Sequence, residues 1–263
     1  MTHHAESRAA DSLAAFQGKL ARREKIFATM VTMTSWTGII PQLAQRNLDC
    51  VIFELEHNHF GWSDLDALLR TANLTGLNAI VRVTDIAYHQ ISRVLDLGAN
   101  GVLIPRIETL QQLEQVIEMM RLPPRGRKGV GGYDFTVADI CGKLSSYNRE
   151  KLLFTQIESP RGIEELDGML GTNEVAGVIV GPYDMSVSLG IPGQFDNPLF
   201  HQAVQEVIRI CERHAMSCGM FMGGQADIRY WRSQGMNIIW AGSDLGFLLQ
   251  AYHQTCDIVD GTD

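Results

Sequence analysis

No stretch of this 263-residue chain approaches the roughly 18 consecutive apolar residues that a membrane-spanning helix needs. Its start, Met1-Thr2-His3-His4-Ala5-Glu6-Ser7, lacks the charged and apolar regions of a secretion signal, so a cytoplasmic protein with no membrane partner is expected. Basic residues are in the minority, 22 against 30 acidic ones, giving a formal charge of -8. Nucleic acid is therefore an unsuitable partner, because its phosphates must be met by a basic face. The five cysteines, Cys50, Cys141, Cys211, Cys218 and Cys256, form no C-x-x-C pair and lie mostly in apolar surroundings, which suits free thiols in a reducing compartment. Nucleotide motifs are missing too. Arg127-Lys128-Gly129-Val130-Gly131-Gly132 could cradle an anion, but it has neither the strand-turn-helix context of a dinucleotide site nor the G-K-[ST] ending of a P-loop.

What the chain does contain is alternation. Eight short apolar runs, Phe27 to Thr32, Cys50 to Glu54, Ala79 to Val83, Gly101 to Ile104, Leu153 to Ile157, Gly177 to Val180, Ser217 to Phe221 and Asn237 to Ala241, are separated by longer amphipathic segments. Runs such as Gly177-Val178-Ile179-Val180 are apolar throughout, as strands buried on both faces must be. Repeated strand-helix units of this length predict one α/β domain, a (β/α)₈ TIM barrel, with residues 1–22 as an N-terminal extension and a last helix over Asp244 to Val259. The polar, glycine-rich segment Leu122 to Glu150 reads as an unusually long loop.

In such a barrel the chemistry sits where the strands end, so the polar residues after each run matter most. They are Glu54-Leu55-Glu56-His57, Arg82, Gln156-Ile157-Glu158 and Gly181-Pro182-Tyr183-Asp184. Glu158 and Asp184 offer the oxygens that hard divalent cations prefer, although either could instead cap the following helix. Arg82 could grip a carboxylate with its planar fork, or merely bridge to Glu54 or Glu56. His57, with an ordinary pKa of about 6.5, suits a general base; a partly exposed loop histidine is the alternative. The Gly181-Pro182 turn opens a helix whose free N–H groups could hold an anion.

Taken together and in order, Ile52 to His57, Ile80 to Val83, Val94 to Ala99, Leu103 to Pro105, Pro123 to Gly132, Gln156 to Ser159 and Val180 to Ser186 resemble the HpcH/HpaI aldolase and citrate lyase family, over about Phe27 to Leu249. The resemblance implies a hexamer with exchanged terminal helices and a metal-dependent aldolase using Mg²⁺, Mn²⁺ or Co²⁺ on small molecules, a 2-oxo acid and an aldehyde. It implies Glu158 and Asp184 as metal ligands, Arg82 at pyruvate and its enolate, and His57 as a base acting through water, partnered by Asp96. Gln156 falls near the metal, and the backbone of Gly181, Pro182 and Tyr183 falls at the substrate carboxylate. The chain departs from the family at Glu54, where aspartate is common. With no lysine at a strand end, a Schiff-base mechanism is disfavoured. Two alternatives stay open: a citramalyl- or malyl-type CoA-thioester lyase, and a non-catalytic barrel that binds a 2-oxo acid.

Overall fold

Eight parallel strands close on themselves in chain order in the computed structural model, which describes residues 2–136 and 139–261. They are β1 (Ile26–Val31), β2 (Cys50–Glu54), β3 (Asn78–Arg82), β4 (Gly101–Ile104), β5 (Leu152–Ile157), β6 (Gly177–Val180), β7 (Cys218–Met222) and β8 (Ile238–Ser243). The helices are α1 (Thr2–Ala21), α2 (Ile39–Leu43), α3 (Trp62–Thr75), α4 (Tyr88–Asp96), α5 (Leu110–Met120), α6 (Ile140–Glu150), α7 (Pro160–Gly171), α8 (Pro182–Ser188), α9 (Pro198–Arg213), α10 (Gln225–Ser233) and α11 (Asp244–Asp260). The (β/α)₈ barrel predicted from the apolar runs is the fold observed. Among the described residues no helix is long and apolar enough to cross a membrane.

Local chemistry sets the helix starts. Thr109 accepts from Gln112 N at 3.2 Å while the Gln112 side chain accepts from Thr109 N at 3.1 Å, so two of the N–H groups that α5 leaves unpaired are satisfied reciprocally. Ser159 and Asn197 cap α7 and α9, each followed by a proline whose missing N–H costs nothing at that position. These starts fix where each strand-to-helix turn lies.

Alternate strand residues fill the barrel or face the helices. Ile52, Ile80, Leu103, Phe154, Ile179 and Trp240 form the interior cluster, whereas Val51, Phe53, Val81, Val102 and Val178 pack against the outer ring. The N-terminal extension belongs to this core. Phe16 and Leu20 of α1 are buried in the interior cluster, and the Phe16 ring stacks on Phe154 with centroids 6.4 Å apart, plugging the end where the strands begin. Truncating Phe16 to alanine would cost roughly 3–5 kcal/mol.

One expectation changes. The segment read as a loop over Leu122 to Glu150 contains a 3₁₀ turn (Tyr133–Phe135) and α6, with Asp139 accepting from Gly142 N at 2.8 Å as its cap; residues 137 and 138 lie outside the described residues. Tyr147 is the one buried residue of α6, so the helix has no apolar stripe to read. Its anchorage is ionic: Lys143 and Lys151 converge on Asp134 at 3.3 and 2.6 Å. Cys50, Cys211 and Cys218 are buried free thiols, but Cys141 is exposed and Cys256 half-buried.

Candidate active site

Glu158 follows the last residue of β5 and is buried, and among the described residues no cationic side chain pairs with it. Its Oε1 accepts from Gln156 Nε2 and its Oε2 from the backbone N–H of Arg106 at 2.9 Å. Burial and the charge of Asp184 push the Glu158 carboxyl up to about 7, against those two hydrogen bonds. The neighbouring Gln156 Oε1 is buried without a partner. Neither carboxylate is a helix cap. Ser159 caps α7 and Gly181 stands at the cap of α8, with Asp184 exposed in its first turn. The capping alternative is thereby removed for both.

Gly181 is required by close approach: a Cβ there would lie 2.0 Å from Glu158 Oε1 and 2.8 Å from Gln156 Nε2. Its N–H, however, is not free for a ligand. It bonds to Ile157 O at 3.2 Å, because Gly181 prolongs the β5–β6 ladder by one residue. Pro182 has no N–H, and Met185 N closes the first helical bond on Gly181 O at 3.0 Å. The backbone donors that the helix leaves unpaired are therefore those of Tyr183 and Asp184, which corrects the expectation for Gly181.

Arg82, at the end of β3, is held by the buried Glu54: Nε and Nη2 each approach Oε2 at 2.5 Å, with the guanidinium only 11% exposed. Glu54 Oε1 accepts from the N–H groups of Glu56 and His57 at 2.5 and 3.0 Å. One carboxylate thus fixes both the arginine and the turn that carries the histidine. Arg82 Nη1 faces Glu56 at 3.4 Å, and its Cζ lies 5.8 Å from the Trp240 ring. Burial raises the Glu56 carboxyl, while Arg82, His57 and Arg106 oppose the shift. His57 is exposed at the mouth, with Nε2 3.7 Å from Glu56 Oε2.

Asp96 lies elsewhere. It ends α4, which runs from the mouth back toward the strand starts, and its carboxylate accepts from the buried Lys128 Nζ at 2.5 Å. One chain does not bring Asp96 to His57. Sequence reasoning missed Arg106, whose φ of +53 turns its N–H onto Glu158; only the preceding proline hints at a special backbone. The two buried lysines, Lys128 and Lys151, pair with Asp96 and Asp134 at the far end.

Glu158 and Asp184 fit a hard divalent cation. The charge of Asp184 acts on Glu158, Glu158 has no counter-charge among the described residues, and the buried Gln156 Oε1 beside it has no partner there. Among the described residues no third His, Cys, Asp or Glu joins them, so the remaining ligands would be water or substrate oxygens.

The family model for HpcH/HpaI aldolase/citrate lyase matches residues 33–251. The chain belongs to that family. A 5-keto-4-deoxy-D-glucarate aldolase of Shigella dysenteriae serotype 1 is 31% identical over 239 residues, covering 88% of this chain and 93% of its own. The solved HpcH/HpaI aldolase of Desulfitobacterium hafniense superposes with a TM-score of 0.86 at 26% identity, covering 92% of this chain and 95% of its own. A family protein of Burkholderia cenocepacia gives 0.84 at 25% identity, covering 94% and 99%. Membership and relatives place the chain among carbon–carbon lyases of the aldolase class.

Proposed function

We propose that this HpcH/HpaI family member is a divalent-cation-dependent aldolase that cleaves and forms 4-hydroxy-2-oxo acids, with pyruvate as one component and an aldehyde as the other. The observation that carries the reading is Glu158, a buried carboxylate that feels the charge of Asp184 and has no counter-charge among the described residues. A cation bound there, Mg²⁺, Mn²⁺ or Co²⁺, would polarise the 2-oxo group as a Lewis acid.

The chain's own groups supply the rest. In this reading the N–H groups of Tyr183 and Asp184, in the first turn of α8, hold the substrate carboxylate. His57, at the mouth, takes the proton of the C4 hydroxyl through a water, which lets the C3–C4 bond break and leaves its electron pair on the enolate of pyruvate. Arg82, already oriented by Glu54, stabilises the charge that develops on the enolate oxygen. In the direction of synthesis the enolate attacks the aldehyde and the proton returns. Asp96 can orient His57 only if a second copy supplies it, which makes an assembly part of this reading. Pyruvate release from 4-hydroxy-2-oxo acids, read by coupling to lactate dehydrogenase, tests the proposal: release should require added cation. Equal release in thoroughly chelated buffer would overturn it.

A further inference from the structure

Trp240 lies in β8, and nothing in the proposed chemistry uses it. Its indole is 2% exposed and belongs to the interior cluster, with the Phe221 ring edge-on at 5.7 Å. It also reaches past β1 and β2 to β3, where the Arg82 guanidinium lies over it with Cζ 5.8 Å from the ring. The N–H does not explain this residue. Trp240 Nε1 is buried with no hydrogen-bond partner among the described residues, and an orphaned buried donor costs folding free energy that phenylalanine would not incur. What tryptophan adds here is the face of a large ring. Arg82, for its part, is held at one atom: Nε donates to Glu54 Oε2 and Nη2 lies 2.5 Å from that same oxygen, while Oε1 accepts from the N–H groups of Glu56 and His57. Two donors on two oxygens fix the plane of a guanidinium, whereas two donors on one oxygen hold an edge and leave the plane free to tilt. Glu56 stands farther off, 3.4 Å from Nη1.

We propose that Trp240 is a positioning residue for Arg82: the indole face sets the tilt of the guanidinium and so aims its remaining N–H groups at the enolate oxygen. This assignment rests on the aldolase reading above. A guanidinium is planar and weakly hydrated, so it stacks readily on an aromatic face, and tryptophan offers the strongest such face. With Arg82 only 11% exposed, the contact is shielded from water, where it contributes most. Tilt matters because a developing oxyanion is stabilised by donors already aimed at it, with no rearrangement when the charge appears. At 2% exposure Trp240 acts through Arg82 and not by touching substrate.

The probe is oxalate, a planar dianion with the shape of pyruvate enolate. Calorimetry measures its affinity in the presence of Mn²⁺, and the affinity for Mn²⁺ alone, in the wild-type protein, Trp240→Leu and Trp240→Phe. Mn²⁺ alone reports on Glu158 and Asp184, whereas oxalate adds the contact with Arg82. Loss of a buried cation–π contact predicts ~5- to 30-fold weaker oxalate binding in Trp240→Leu, and a smaller loss of ~2- to 5-fold in Trp240→Phe, which keeps an aromatic face. Mn²⁺ affinity should stay at the wild-type level in both, and exchange of pyruvate methyl protons in D₂O should fall in the same order as oxalate affinity. Undiminished oxalate affinity in Trp240→Leu overturns the assignment. So does an equal loss of Mn²⁺ and oxalate affinity, the mark of a collapsed barrel floor. Should Trp240→Leu not fold, Trp240→Phe carries the test, and oxalate binding at the wild-type level in it overturns the assignment. Each of these results leaves the aldolase reading standing. Failure of the wild-type protein to bind oxalate with Mg²⁺, Mn²⁺ or Co²⁺ overturns that reading and this assignment with it.

Discussion

Gly181 stands so close to Glu158 that a Cβ on it would lie 2.0 Å from the carboxylate oxygen. The backbone at Gly181, φ -88 and ψ 102, is one that alanine adopts without strain. Gly181→Ala should therefore fold, and the displacement should fall on Glu158 and its hydrogen-bond partner Gln156. Groups that orient a metal ligand typically govern about 10- to 100-fold in affinity, and a loss of that size in Mn²⁺ binding by calorimetry is expected. Unaltered binding would show that the Glu158 position does not matter to the cation.

The raised carboxyl of Glu158 gives a pH dependence of definite sign. Its folded pKa of about 7 exceeds the ordinary 4.5, so the proton stabilises the cation-free fold at low pH, and this contribution is lost as pH rises through about 7. A cation must displace that proton, so its affinity should rise with pH over the same window. Melting temperature and cation titrations from pH 5 to about 8 check both. In Glu158→Gln the two trends should flatten; persistence of both would assign them to another group.

Glu54 is 2% exposed and Arg82 11%, so the bridge between them is largely shielded from water. Removing one member of a buried pair typically costs ~3–5 kcal/mol. Glu54→Ala should lie near the lower bound, because Glu56 remains 3.4 Å from Arg82, and it should also release the turn at His57. Urea unfolding measures the first effect. A loss below about 1 kcal/mol would mean that the pair is more hydrated than its burial implies.

No residue of α11 is buried, and Phe247, Leu248, Leu249, Tyr252, Ile258 and Val259 are exposed on it. An apolar helix without a cover fits exchange with another copy. Asp244 is a separate matter, since its carboxylate accepts from Thr32, Met33 and Thr34 N–H groups at 2.8–3.0 Å and holds the β1–α2 turn. Truncation after Gly246 keeps that clamp and should reduce a multimer to smaller species in light scattering. A wild-type monomer at micromolar concentration would refute the exchanged helix.

The barrel was legible because strands buried on both faces leave unbroken apolar runs, and the chain has eight. α6 was not, because a helix anchored by Lys143, Lys151 and Asp134 shows no 3.6-residue stripe. Glu158, Asp184 and Arg82 were readable as polar residues that follow apolar runs. Arg106 was hidden because its contact with Glu158 comes from a left-handed backbone and not from a residue pattern. Position in a helix also separates Asp96 from His57, since nine residues of α4 carry it away from the mouth. A pairing of Asp96 with His57 would need the second copy proposed above, and one chain's sequence does not encode such a contact locally.

The roles of His57 and Arg82 differ in a way that simple loss of activity would conceal. General-base removal typically costs ~10²–10⁴-fold, and loss of a donor to a developing oxyanion costs a comparable ~10²–10³-fold. Size alone does not assign them, but two reactions do. Aldol cleavage needs a base at the C4 hydroxyl, the role proposed for His57, which is exposed beside Glu56. Exchange of pyruvate methyl protons needs an enolate but involves no C4 hydroxyl. Arg82, fixed by Glu54 at the end of β3, is the group proposed to serve the enolate in both. His57→Ala should therefore lose cleavage much more than exchange, followed by NMR in D₂O, whereas Arg82→Ala should suppress both. Arg82→Lys should also suppress both, because a single ammonium cannot span Glu54 and the enolate oxygen as a guanidinium fork does. Equal losses of the two reactions in His57→Ala would show that this histidine also governs enolate formation, and the division of labour would be wrong.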